Sequence, residues 1–334
     1  MDTITLNIGN RIRPIPSSSQ IIEADSIVKY VIMDENMLNV FDLSNDSLIA
    51  NIDLKECGGL SDYSGFTFLN KDTIFAYSYY SKSCMLTDTN GKVLNSQVIP
   101  KELIKTVSPE ALSCTPALTF CDRVILSGKP ISHSSVSKDE PISLYWDYKN
   151  HSIIPGAAYS DEYSKGYFGG IYFNTIYQCK VDSNLITYSF PVSNHIYRYN
   201  TNLEFVDSIY MGSRYTKSIV SKNGVVKDFL SDKDERLNYY LEQDSYGPIF
   251  YNDKVNLYYR IAEHPLITTD AEKQRKPFSI IAMNDDGHLI TETPVLNNDR
   301  TLITANAHSY KDGIIIQLES EDENLIKFVY YKIL

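Results

Sequence analysis

The chain is poor in the residues and spacings that announce chemistry. Its five cysteines, Cys57, Cys84, Cys114, Cys121 and Cys179, are odd in number and widely spaced, with no CxxC pair. That fits neither a disulfide framework nor a zinc site, and the thiols read as free and mostly buried. The six histidines, His133, His151, His195, His264, His288 and His308, fall in no HxH or HExxH spacing, so no metal site is expected. There is no GxSxG elbow and no phosphate-cradling glycine loop. The glycine pairs Gly58-Gly59 and Gly169-Gly170 mark tight loops instead. No catalytic residue and no cofactor is expected.

Positive charge is also in deficit, with Lys+Arg 31 against Asp+Glu 42 and a net charge of −11. Nucleic-acid and anionic-membrane binders need a cationic face, so neither partner is expected. No run of eighteen apolar residues exists, which excludes a transmembrane helix. The start, Met1 to Leu6, has neither a basic n-region nor an apolar h-region. The protein is expected to be cytoplasmic, unless Met1 stands where an export signal was removed.

What the chain has is tyrosine, 26 residues of 334, and 43% hydrophobic residues, enough for a full core. Tyrosine suits half-buried sheets and binding surfaces alike. A recurring unit organises it. Leu38 to Leu43 turns through Ser44-Asn45-Asp46 into Ser47 to Leu54, where Leu48, Ala50, Ile52 and Leu54 share one face at period two. Further hairpins turn at Thr89-Asn90-Gly91, Tyr148-Lys149-Asn150, Asn200-Thr201-Asn202 and Asn284-Asp285-Asp286-Gly287. Asn and Gly there supply the positive φ of tight turns. The acidic turns lack the alternating oxygens of a calcium loop.

Most such hairpins follow another strand pair, as in Gly65 to Leu69 with Thr73 to Tyr77, or Gln178 to Val181 with Leu185 to Phe190. Four strands make one unit, with the repeat length of a propeller blade. Five full units precede a last one of three strands, Thr304 to His308, Gly313 to Leu318 and Leu325 to Ile333. The spare N-terminal strand, within residues 1–9, completes it. The expected fold is therefore all-β, a six-bladed β-propeller with four-stranded antiparallel blades, closed by the N-terminal strand so that no sheet edge is left open there. One domain, 1–334, is expected, with an irregular, poorly periodic insertion at 213–244. Ser231 is expected to cap a short helix there whose Leu237, Tyr240 and Leu241 share a face. Ser108-Pro109-Glu110 reads as another brief helical turn.

The densest aromatic and polar stretch runs from Tyr246 to Arg260. On a strand, Tyr258 and Arg260 share a face and Tyr259 opposes them. Two readings stand. The group forms an aromatic and guanidinium surface for sugars or peptides, or Arg260 satisfies buried carbonyls between blades. A second candidate surface joins Asp62-Tyr63 to Tyr79-Tyr80. A third lies in the Tyr159 to Tyr172 segment, with Tyr163 and Tyr167. The candidate binding residues are thus Tyr258, Tyr259, Arg260, Tyr246, Tyr63 and Tyr167.

Three stretches carry a family likeness: Ile52-Asp53-Leu54 followed by Gly58-Gly59; Asn70 to Phe75 leading to Asp88 to Val93; and the Tyr251 to Arg260 strand pair ending Tyr-Tyr-Arg. With these the chain resembles a DUF4221-like group of uncharacterised bacterial proteins, mostly from gut Bacteroidetes, with a TolB-like six-bladed β-propeller. The resemblance implies an exported lipoprotein of the cell envelope, lipid-anchored in a precursor through a cysteine behind a signal peptide. The first cysteine here is Cys57. The family brings no established catalytic residues. The expected function is non-enzymatic recognition of a protein, peptide or glycan at one ring face. The alternative is an envelope hydrolase or lyase acting on sugars or peptides at the propeller axis.

Overall fold

The computed structural model describes the chain apart from residues 1, 10–11, 25–26, 55–61, 131–139, 169, 218, 223–231, 267–274, 298–300 and 334. Cys57, Gly58, Gly59, His133, Gly169 and Ser231 lie outside the described residues. Strand β1 (Asp2–Asn7) comes first but belongs to the last blade. Blade 1 is β2 (Ser18–Ala24), β3 (Ile27–Asp34), β4 (Met37–Asp42) and β5 (Ser47–Asp53). Blade 2 is β6 (Tyr63–Asn70), β7 (Thr73–Ser78), β8 (Ser83–Asp88) and β9 (Val93–Val98). In blade 3, β10 (Val107–Pro109) and β11 (Leu118–Phe120) both pair with β12 (Arg123–Pro130), which is followed by β13 (Pro141–Asp147) and β14 (Ser152–Ala158). Blade 4 is β15 (Tyr177–Lys180), β16 (Leu185–Ser189), β17 (His195–Asn200) and β18 (Phe205–Tyr210). Blade 5 is β19 (Ser245–Asn252), β20 (Leu257–Glu263), β21 (Phe278–Asn284) and β22 (Leu289–Glu292). Blade 6 is β23 (Leu302–Tyr310), β24 (Gly313–Leu318) and β25 (Leu325–Lys332), with β1 added antiparallel from Asp2↔Tyr330 to Asn7↔Leu325.

The chain is therefore a six-bladed propeller of antiparallel blades, closed by its N-terminal strand. First strands line the axis, where β6 contacts β2 and β11, and β19 contacts β15 and β23. Because side chains alternate along each strand, every blade feeds two apolar wedges, one toward each neighbour. On β3, Val31 and Met33 pack toward blade 2, while Tyr30 and Ile32 pack toward blade 6. Polar clasps bridge the same wedges. Trp146 Nε1 donates to Gln97 Oε1 at 2.8 Å, and Gln178 Nε2 to the Pro116 carbonyl at 2.8 Å.

Local expectations changed in three places. The stretch at Ser108-Pro109 is strand, paired with Lys129 and Gly128, and a helical turn lies earlier, at α1 (Lys101–Ile104). Helix α2 (Lys233–Glu242) is capped by Asp232, whose carboxylate accepts the Asp234 and Glu235 N–H groups. Positive φ in the hairpins falls on Asp46, His151 and Leu203 as well as on Gly91 and Gly287.

Candidate functional site

Antiparallel order places the start of each first strand, the turn between second and third strands, and the connection to the next blade on one ring face, here called upper. The turns between first and second strands lie on the lower face.

The Tyr258–Arg260 group is not on either surface. Strand β20 is flanked by β19 and β21 within its sheet and by neighbouring blades on its faces, so all three side chains are fully buried. Tyr258 and Arg260 do share the face toward blade 4, where the Tyr258 hydroxyl meets Thr187 Oγ1 at 3.2 Å. Tyr259 faces blade 6 and donates to the Asp312 carbonyl at 3.1 Å. Arg260 spends its donors inside blade 4: Nε on Ser189 Oγ at 2.9 Å, Nη1 on the Met211 carbonyl at 3.0 Å, and Nη2 on the Phe190 and Ser193 carbonyls at 3.1 and 2.8 Å. Burial pulls its pKa down to about 10, against which nearby Tyr246 works. Tyr246 is equally buried, and its hydroxyl donates to Asn194 Oδ1 while accepting the Ser213 N–H. The expected surface is thus internal: Tyr246, Tyr258 and Arg260 clamp blade 5 to blade 4, because a planar guanidinium can satisfy several carbonyls at once, and Tyr259 packs toward blade 6.

Tyr167 is also buried, and its carbonyl accepts the Lys222 N–H at 2.6 Å. Gly166 is needed beside it, since a Cβ there would come within 2.3 Å of Ser221 Oγ.

Tyr63 is different. It begins β6 on the upper face, with its N–H on Asn36 Oδ1 at 3.0 Å and its hydroxyl on Met85 Sδ at 3.2 Å. These bonds fix it in the wall of a cleft of about 660 Å³ between blades 1 and 2. Asp34, Glu35 and Asn36 come from the β3–β4 turn, Asp62 and Ser64 from the start of β6, and Arg13 to Ser17 from the segment leading into β2. Arg13 Nε pairs with Asp34 Oδ1 at 3.0 Å. Tyr80 overhangs the cleft at 78% exposure, with the Tyr79 ring edge-on 5.8 Å away. Lys82 Nζ sits 3.2 Å from the Tyr79 centroid, so this ring already holds a cation. Both Glu35 and Asp62 are held at positive φ, +53° and +71°.

A third cluster on the upper face was invisible in the spacing. Asp244 Oδ1 lies 3.0 Å from His264 Nδ1, and His264 Nε2 lies 3.0 Å from Ser279 Oγ. This is the connectivity of an acid, base and hydroxyl nucleophile. Ser279 Oγ, however, also donates to Glu292 Oε1 at 2.8 Å, and Ser213 Oγ donates to the same oxygen at 2.5 Å. All five residues are buried. A carboxylate against the serine would oppose an oxyanion, and the hydroxyl faces no open space, so the arrangement acts as a buried polar relay. Lys276 nearby donates to Ser245 Oγ at 2.7 Å, and burial lowers its pKa to about 8.

No helix among the described residues is long and apolar enough to cross a membrane. A comparison with curated proteins finds no match. Among solved structures, a member of the DUF4221 family from Bacteroides vulgatus ATCC 8482 is similar at a TM-score of 0.78 and 16% identity, over 98% of this chain and 95% of that one. A Bacteroides fragilis NCTC 9343 protein, named as a proposed exported protein, is similar at a TM-score of 0.56 and 15% identity, over 98% of this chain and 93% of that one. At these identities the likeness shows fold alone. The family model for the domain of unknown function DUF4221 matches residues 1–294, and the chain belongs to that family.

Proposed function

We propose that the chain is a non-enzymatic recognition propeller of the bacterial cell envelope, binding a protein, peptide or glycan in the upper-face cleft between blades 1 and 2. The observation that carries this reading is the cleft itself. Tyr63 is locked in its wall, Tyr80 is exposed at its mouth, and carboxylate, amide and guanidinium groups converge between them. Aromatic faces with a few convergent polar groups suit sugar rings and peptide side chains. Loops on a rigid scaffold are the usual place for such sites. The export named for the Bacteroides fragilis relative supports an envelope location, and the reading includes a lipid-anchored precursor.

Affinity capture from a Bacteroides envelope extract tests it, with wild type beside a Tyr80→Ala/Asp62→Asn variant, since asparagine keeps the positive φ at 62. Wild type should retain a partner that the variant loses, with the melting temperatures of the two proteins alike. Equal capture by both would remove the cleft from the function.

The alternative, an envelope hydrolase or lyase, draws on one observation, the Asp244–His264–Ser279 order of hydrogen bonds. The bond from Ser279 to Glu292 and the burial of both residues weigh against it.

A further inference from the structure

On the lower side of the same blade pair lies a second cleft, of about 370 Å³ and of opposite chemistry. That size falls within the range of small-molecule sites, about 300–1,000 Å³. One wall is the face of blade 1 that carries Val31, Val40 and Ile52, and Phe68 of blade 2 lies opposite. Val31 and Val40 are cross-strand partners, and Ala50, paired with Val40, adds only a methyl group, which leaves the cleft unfilled. Ile49 stands at the rim, 45% exposed.

The charged groups lining this cleft are Lys29 and Lys71, with no aspartate or glutamate. The upper cleft, by contrast, sets Asp34, Glu35 and Asp62 against Arg13, and the lower mouth of the axis mixes Glu23, Asp182 and Asp253 with Lys180, Lys254 and Lys311. In a chain of net charge −11, an apolar cleft with a purely cationic rim is a local reversal. Asp42, the cross-strand partner of Lys29, is not among the cleft's lining residues, and its oxygens are turned to the Ser44 N–H and the Asn45 Nδ2 at 2.7 Å each. Among the described residues neither ammonium is held in an ion pair.

We propose that this cleft binds an amphipathic anion of the medium-chain carboxylate class. The hydrocarbon chain lies against Ile22, Ile49, Ile52 and Phe68, the apolar lining residues with accessible surface, and the carboxylate sits between Lys29 and Lys71. Apolar walls recognise the chain by burial, and the paired ammonium groups select the anion over a neutral or cationic head. This site is separate from the upper cleft and does not depend on it.

Calorimetric titration of the whole chain with octanoate, decanoate, decanol and decylammonium tests the proposal. Decanoate should bind more tightly than octanoate, by about fourfold per added methylene, and decylammonium should bind least. Lys29→Gln/Lys71→Gln should weaken decanoate about fivefold and leave decanol unchanged. Ile49→Glu should abolish decanoate binding, and both substitutions lie where side chains are solvent-accessible, so the fold is kept. Tyr80→Ala should leave decanoate binding intact, which separates this site from the recognition cleft. Absence of decanoate binding to wild type, equal binding of decanol and decanoate, or equal decanoate binding by the lysine variant would each overturn the proposal. So would displacement of decanoate by a tighter-binding apolar peptide with a free terminal carboxylate, which would make the cleft a peptide site.

Discussion

The guanidinium carbon of Arg260 sits 3.7 Å from the centroid of the Tyr246 ring, in a wedge from which both side chains exclude water. The contact joins β20 to β19 within blade 5, while the other guanidinium bonds reach across to blade 4. A buried cation is costly unless its donors are filled, and here each guanidinium nitrogen has an acceptor.

Arg260→Ala should therefore cost about 3–5 kcal/mol of stability, because it leaves carbonyls of blade 4 unpaired and opens a cavity. Arg260→Lys should recover only part of this, since an ammonium cannot fork to the same acceptors. Chemical denaturation of the three proteins checks the order wild type, Lys, Ala.

His308 supplies a pH signature. Its Nε2 lies 3.1 Å from Ser19 Oγ and its ring packs against Tyr30, and burial lowers its pKa from 6.5 to about 4. The folded state then binds fewer protons than the unfolded state between those two values, so stability rises with pH across that window. The contribution is complete above pH 6.5 and is lost as pH falls toward 4, by about 3 kcal/mol. Denaturation of wild type and His308→Gln from pH 4 to 7 should give a shallower pH slope for the variant.

Glu292 accepts from the Ser213 and Ser279 hydroxyls and the Arg214 N–H. Glu292→Gln should destabilise by about 2 kcal/mol, because charge-assisted bonds are replaced and the amide brings donors that face donors. A fluorophosphonate probe should leave Ser279 unlabelled in wild type, and labelling there would favour the hydrolase alternative.

Removing residues 2–7 should open the ring. Leu6 is fully buried between blades 6 and 1, and β25 would be left as a free edge. The truncated protein should melt lower than wild type and aggregate at concentrations where wild type remains monodisperse, as light scattering would read.

Much of the architecture was legible because blades repeat a local grammar. Period two assigned Tyr258 and Arg260 to one face and Tyr259 to the other, as found. What periodicity does not carry is depth within the blade. Ala50, Ile52 and Leu54 do share one face, but a bulge between the Val40–Ala50 and Phe41–Leu48 pairs turns Leu48 to the other face, where it is 48% exposed, while Leu54 is fully buried at the covered upper end of the strand. The same blindness made the Tyr258–Arg260 stretch look like a surface. Turn chemistry was legible as position but not as conformation, for Leu203 takes φ +62° beside Asn200 and Asn202. The Asp244–His264–Ser279 relay and both blade 1–2 clefts depend on residues far apart in the chain, which no spacing could align. The Asp62-Tyr63 and Tyr79-Tyr80 pairs were legible together as one candidate surface, and the fold brings Asp62, Tyr63 and Tyr80 to one cleft.

The most direct test of recognition at that cleft is a hydrogen-exchange footprint of the intact chain with and without the envelope fraction it captures. Protection should appear in 33–36, 62–64 and 79–80, and the lower mouth at 180–183 and 251–254 should be unchanged. Protection confined to the lower mouth, or none at 62–64 and 79–80, would contradict it.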